Sequence, residues 1–250
     1  MRTMLSLAFV LLATPAGAQE KLSGSNVDTR IGMAFKVSDD ALRKLVPEGW
    51  EISPPSSGPN QGANLNVTLV NMQTAYDAEG KSATPYRGVA FSVPMKKKGS
   101  DATVPMLIAG LFTSNYAPGA YGVFHAARVS VDRKVRIDLD GKTTVEETWE
   151  LRADGGHALD IHVQYVAGVP ANSKVEQRVY SAAKPDFFRI YRFEMASEVV
   201  KSVPTGVDRV SRVSFKAAGD KLGTLFDGSQ QLISVTAIPW YSRLVYLPAL

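Results

Sequence analysis

The sequence predicts a mainly β protein of the α+β class. The expected architecture is a large antiparallel sheet of about ten strands, closed into a barrel or folded into a sandwich, with a few short helices. Three observations carry this. Segment after segment alternates apolar and polar residues with the period of two that a half-buried strand requires, NLNVTL at residues 64–69 being the clearest. Turn residues divide the segments, above all Asp154-Gly155-Gly156. Only one segment has well-defined helix signals, so strands must supply nearly all of the core.

The chain opens on MRTMLSLAFVLLATPAGAQE. Arg2 gives a positive start, residues 5–13 an apolar run, and Ala16-Gly17-Ala18 the small residues of a cleavage site. The run is too short to span a bilayer. Residues 1–18 therefore read as a secretory signal cut after Ala18, placing the protein in the periplasm or outside the cell. Residues 19–250 are expected to form one β domain without an integral membrane segment. The 28 basic and 24 acidic residues give a net charge of +4, or +3 once Arg2 leaves. So mild an excess, spread along the chain, does not point to nucleic acid. Cysteine is absent, which excludes disulfides, a thiol nucleophile and a zinc–thiolate site.

Ser38 caps the expected helix, Asp39 and Asp40 suit its positive end, Leu42, Leu45 and Val46 form its apolar stripe, and Pro47 stops it. Shorter helical turns are expected at residues 196–201 and 220–226. PPSSGPNQG at residues 54–62 reads as a surface loop. Arg87, Val89, Phe91 and Val93 share a face of a strand expected to end at Pro94, and Lys96–Lys98 follow as a solvated loop tip. Ala127, Val129, Val131, Val135 and Ile137 line one face of a long strand whose other face is polar. Residues 143–152 and 158–166 pair around the Gly-Gly turn, and alternation returns at 188–193, 207–215 and 232–238.

Strand parity selects the candidate functional residues. Counting back by twos from Val131 puts His125 on the apolar face, Glu147 falls in phase with Trp149 and Leu151, and Arg87 with Val89 and Phe91. If all three face one interior, Arg87 can clamp a carboxylate while His125 and Glu147 form an acid–base pair. Their chain neighbours Tyr86 and Phe124 would contact the substrate. In the alternative, Arg87 and Glu147 sit at strand ends and reach solvent, and His125 is a hydrogen-bonded core residue. His157 is expected to be exposed beside its turn, and His162 lies on the polar face of its strand. Three scattered histidines, without H-x-H, HExxH or an acidic calcium loop, do not make a metal site. No P-loop or G-x-S-x-G elbow occurs, and no cofactor is expected.

Several segments together resemble the acetoacetate decarboxylase superfamily across residues 37–166: LVPEGWEISP after the helix, NLNVTLVNMQTAYDAEG, PYRGVAFSVPM and YAPGAYGVFHAARVSV. The resemblance implies a β fold around a cavity for a small organic acid. Decarboxylating relatives use a lysine that forms a Schiff base with a β-keto acid, activated by a neighbouring cation. Here His125 and Ala126 fall where the lysine pair would stand, and Gly88, beside Arg87, where an acidic residue would. Imidazole forms no stable imine with a ketone. The resemblance thus implies binding of a small carboxylate or carbonyl compound without Schiff-base decarboxylation. A lyase, hydratase or hydrolase using His125 and Glu147, and a structural envelope protein, are the alternatives, and a homo-oligomer is compatible with each.

Overall fold

The computed structural model describes residues 20–249, so the expected signal peptide lies outside the described residues. In chain order the elements are β1 (Lys21–Lys36), helix α1 (Asp39–Arg43), β2 (Trp50–Ile52), β3 (Leu65–Tyr76), β4 (Ser82–Ala83), β5 (Arg87–Lys97), β6 (Thr103–Phe112), β7 (Phe124–Ile137), β8 (Thr143–Ala153), β9 (Ala158–Val166), β10 (Ala171–Ser181), β11 (Phe188–Ser202), β12 (Val207–Asp208), β13 (Val210–Ala218), helix α2 (Asp220–Leu225) and β14 (Gln231–Leu247). The protein is mostly β, as predicted. Among the described residues, no helix is long and apolar enough to cross a membrane.

The strand pairings close on themselves. From β1 the ladder runs through β3, β5, β6, β10, β11 and β14 and returns to β1, a circuit of seven strands. From β6 it also branches to β7 and continues through β8 and β9 to β13. The sheet is mixed rather than wholly antiparallel, because β6 runs parallel to both β7 and β10. A parallel pair cannot be joined by a tight turn. Residues 113–123 carry the chain back along the sheet before β7 begins.

Strands β1, β3 and β5 of the circuit each have two faces with different contents. Ile31, Met33 and Phe35 of β1, Leu65, Val67 and Leu69 of β3, and Val89, Phe91 and Val93 of β5 point outward. There they pack against Trp149, Leu151, Leu159, Ile161 and Val163 of β8 and β9 and against Leu42, Leu222 and Leu225 of the two helices. Burial of this apolar surface dominates the stability of the fold. The alternate residues of the same strands face the inside of the circuit.

Local predictions fare unevenly. The Ser38 hydroxyl accepts from the Ala41 N–H at 3.3 Å and caps α1 as expected, and α2 occupies the expected turn at 220–225. The Gly-Gly turn joins β8 to β9, with Gly155 and Gly156 at φ 74° and 77°, a left-handed region that side chains disfavour. Residues 196–201 are not helical: they belong to β11, hydrogen-bonded to β14, with Glu198 and Val200 turned to the buried side. Nor does Pro94 end its strand. Pro94 faces Pro105 across the β5–β6 ladder, so the two missing N–H groups fall on one rung and β5 continues to Lys97. The lysine run thus begins inside a strand, where Lys96 lies 3.6 Å from Glu51 and Lys97 3.7 Å from Asp186. Strand β1, among the longest, has no counterpart in the prediction.

Candidate functional site

All seven strands of the circuit contribute side chains to one cavity of about 240 Å³, just below the usual range for small-molecule sites. Two of the predicted ligand-contacting residues, Tyr86 and Phe124, line it. The predicted acid–base pair and the predicted carboxylate clamp do not.

Arg87 shares its phase with Val89 and Phe91, as predicted, but that phase points at the packed core and not at the cavity. At the end of β5 the side chain turns to solvent and donates from Nε to Asn71 Oδ1 at 2.8 Å. His125 has the phase of Ala127, Val129 and Val131, yet it stands where that face runs out at the start of β7 and is exposed, not inward-facing. Its ring stacks on His157 with centroids 4.7 Å apart, at the rim of a surface cleft that Lys44 and Lys221 also line. Partial burial, His157 and Lys221 hold the His125 pKa below its ordinary value. His157 is half-buried rather than exposed. His162 pairs with Glu146 at 2.8 Å on the polar face of β9.

Glu147 does face inward and is 5% exposed, but it lies under the branch of the sheet. Trp149 Nε1 donates to it at 3.0 Å, and Arg133 Nε lies 3.0 Å from its other oxygen. Burial raises its pKa, while Trp149 and Arg133 oppose the rise. Arg133 is the cross-strand partner of Glu147 and stands eight residues beyond His125 on β7. At about 3.3 Å per residue, roughly 26 Å separate the two candidates. His125 and Glu147 cannot act on one substrate.

The charged groups at the cavity are ones that parity passed over. Asn26, Asp28 and Arg30 alternate along β1 toward the inside of the circuit, and Asn26 pairs directly with Arg243 of β14. Asp28 is 1% exposed and holds Arg30 through two contacts, Nε to Oδ1 at 2.6 Å and Nη2 to Oδ2 at 2.9 Å. Asn26 donates to Asp28 at 2.6 Å. The Arg30 guanidinium lies 3.4 Å over the Tyr241 ring. Arg243, 7% exposed, donates from Nε and Nη2 to Asn26 Oδ1 at 2.9 and 2.7 Å and from Nη2 to Tyr86 Oη at 3.2 Å. Its guanidinium lies 4.2 Å over the Tyr191 ring. Among the described residues Arg243 has no carboxylate partner, so the cluster of Asp28, Arg30 and Arg243 carries one net positive charge.

The phenols of Tyr116, Tyr121 and Tyr241 do not offset that charge. Burial and neighbouring tyrosines push the Tyr116 and Tyr121 pKa values well above their ordinary value, and burial raises Tyr241. Burial opposes the charged form of Arg243, but nearby tyrosine oxygens and Asp28 outweigh it and the pKa rises. A buried cation whose hydrogen bonds go only to neutral groups favours an anion beside it.

The rest of the wall is aromatic, and two glycines make room for it. A Cβ on Gly88 would lie 2.4 Å from Phe112 Cδ1, and one on Gly110 would lie 2.6 Å from Phe124 Cδ1. With neither Cβ present, Phe112 and Phe124 approach to 4.6 Å between centroids. Tyr116, from the 113–123 loop, stacks on Tyr86 at 3.8 Å. Tyr121 donates to the Tyr191 hydroxyl at 2.6 Å across the cavity.

No protein-family model and no curated protein matches the sequence. Solved structures do resemble it. The chain aligns with the enduracididine biosynthesis enzyme MppR at a TM-score of 0.52 and 10% identity, covering 95% of this chain and 96% of that one. The same enzyme complexed with the condensation product of pyruvate and imidazole 4-carboxaldehyde also gives 0.52 at 10% identity, over 98% and 95%. An acetoacetate decarboxylase-like enzyme from Sphingomonas wittichii RW1 gives 0.51 at 12% identity, over 98% and 100%. The chain therefore has an acetoacetate decarboxylase-like fold, in line with the sequence resemblance. At such identity the likeness concerns the fold, and function has to be argued from the site.

Proposed function

We propose that this is an exported protein that binds a small organic acid inside its strand circuit, with the carboxylate against Arg243 and Arg30. The unneutralised charge of buried Arg243 carries the reading. The leader sequence supports export. Arg30 is held by Asp28 and adds a fixed positive edge, while Arg243 keeps a guanidinium available to the ligand. Among the described residues lining the cavity there is no lysine. A guanidinium binds a carboxylate through paired N–H donors but forms no imine. The proposed activity is accordingly binding without Schiff-base decarboxylation.

Calorimetric titration with a panel of keto, hydroxy and simple carboxylic acids tests this, comparing the natural chain with Arg243→Met. A hydrogen bond to a charged group contributes about 1.5–3 kcal/mol, so the variant should lose about tenfold to 150-fold in affinity. Removing Arg243 leaves Asp28 and Arg30 as a neutral pair, so the variant should still fold. Unchanged affinity in a folded variant would refute the reading. Borohydride trapping of a keto acid on any lysine would refute its non-covalent character.

A further inference from the structure

The carboxylate reading leaves the body of the ligand open, and the cavity wall narrows it. Two features bear on this: the amount of charge and the shape of the wall.

The charge is a single net positive one. A monocarboxylate neutralises it. A dicarboxylate would bring a second negative group against Phe112, Phe124, Leu107 and Val179, where no cation waits for it. The wall that leads away from Arg243 through Tyr86 is built from rings that touch one another. Tyr86 and Tyr116 stack at 3.8 Å, Phe112 and Phe124 stand 4.6 Å apart, and Tyr116 and Phe124 stack at 5.5 Å. Gly88 and Gly110 are what allow these rings to lie flat against the strands. Such surfaces favour the offset or edge-on approach of another ring over an aliphatic chain.

We infer that the ligand is a flat aromatic or conjugated monocarboxylate, its carboxylate on Arg243 and its ring on the Tyr86–Tyr116–Phe112–Phe124 wall. The inference rests on the carboxylate reading above and narrows it to a ligand class.

Calorimetry on the purified chain with five probes tests the class: trans-cinnamate, its saturated counterpart 3-cyclohexylpropanoate, hexanoate, adipate and the uncharged cinnamyl alcohol. Cinnamate should bind about twofold to twelvefold more tightly than 3-cyclohexylpropanoate, the worth of one well-placed aromatic pair. Adipate should bind about tenfold or more weakly than hexanoate because its second charge is unpaired. Tyr116→Leu should abolish the preference for cinnamate over 3-cyclohexylpropanoate. Phe112→Leu, in the same wall, is the second variant should Tyr116→Leu not fold, and it should likewise reduce the preference for cinnamate over 3-cyclohexylpropanoate, with thermal melts as the check. If 3-cyclohexylpropanoate matches cinnamate, or adipate matches hexanoate, the aromatic monoacid class is wrong while carboxylate binding stands. If cinnamyl alcohol binds as well as cinnamate, or no acid binds at all, the carboxylate reading falls and this inference falls with it.

Discussion

Gly88→Ala puts the two-faced construction of the strands to the test. Gly88 sits on β5 opposite Phe112 of β6, with its missing side chain aimed into the circuit. An added Cβ would lie 2.2 Å from the Leu111 carbonyl oxygen and 2.4 Å from Phe112 Cδ1. Real Cβ contacts are essentially never closer than 3.0 Å, so the Leu111 carbonyl would have to retreat by 0.8 Å, the difference between 3.0 and 2.2 Å. That carbonyl belongs to a strand paired on both sides, and it cannot retreat without disturbing the β5–β6 ladder. Overpacking of this kind costs about 1–3 kcal/mol. For a chain of this size each kcal/mol shifts the melting temperature by about 2–4 °C, giving an expected drop of about 2–12 °C. Gly32→Ala is the matched control. Gly32 lines the same cavity, but its added Cβ would meet nothing closer than Thr236 at 3.9 Å. Because glycine weakens a strand by about 0.5–1 kcal/mol relative to alanine, that variant should be unchanged or slightly more stable. Thermal unfolding followed by circular dichroism, with the two variants side by side, decides the matter. A Gly88→Ala protein melting at or above Gly32→Ala would refute the claim that these glycines hold space for the aromatic wall.

Two pH profiles follow from the displaced candidates. Glu147 has a raised pKa in the folded state, so the unfolded chain gives up its proton first and stability falls as pH rises from about the ordinary carboxylate value of 4.5 toward the folded value. Glu147→Gln should flatten that part of a melting-temperature profile, and an unchanged slope would show that another group causes it. His125 has a lowered pKa, so the unfolded chain takes up a proton first and stability falls as pH drops through 6.5 toward the folded value. His125→Gln should remove that loss while leaving ligand affinity as it was, and any drop in affinity would return His125 to the binding site.

Much of the fold is readable in the sequence and much of the site is not, for one physical reason. Period two states that a strand has two unlike faces, but not what lies across from each. On β5 the apolar phase Val89, Phe91, Val93 was readable, and Arg87 shares that phase but turns to solvent at the start of the strand. The cavity lies on the other phase, where Gly88, Ala90 and Ser92 look like a solvent face. On β1 the same ambiguity hid a whole strand, since Gly24, Asn26, Asp28, Arg30 and Gly32 read as a polar, glycine-rich stretch. Only closure of the circuit turns that polar side into an interior, and closure depends on β5 pairing with β6 and β14 with β1, contacts distant in sequence. A usable signal was nonetheless present. Asn26, Asp28 and Arg30 alternate strictly and end against Ile31, Met33 and Phe35 on the opposite phase, and Tyr241 and Arg243 alternate in the same way within IPWYSRLVYLP. Asn26, Asp28 and Arg30 have opposite charges and amide groups on one phase, and inside the circuit they bond to one another, an arrangement that a solvated face does not require. By that criterion the search for function begins with the polar phase of the longest strands, and His125 is a residue at the rim.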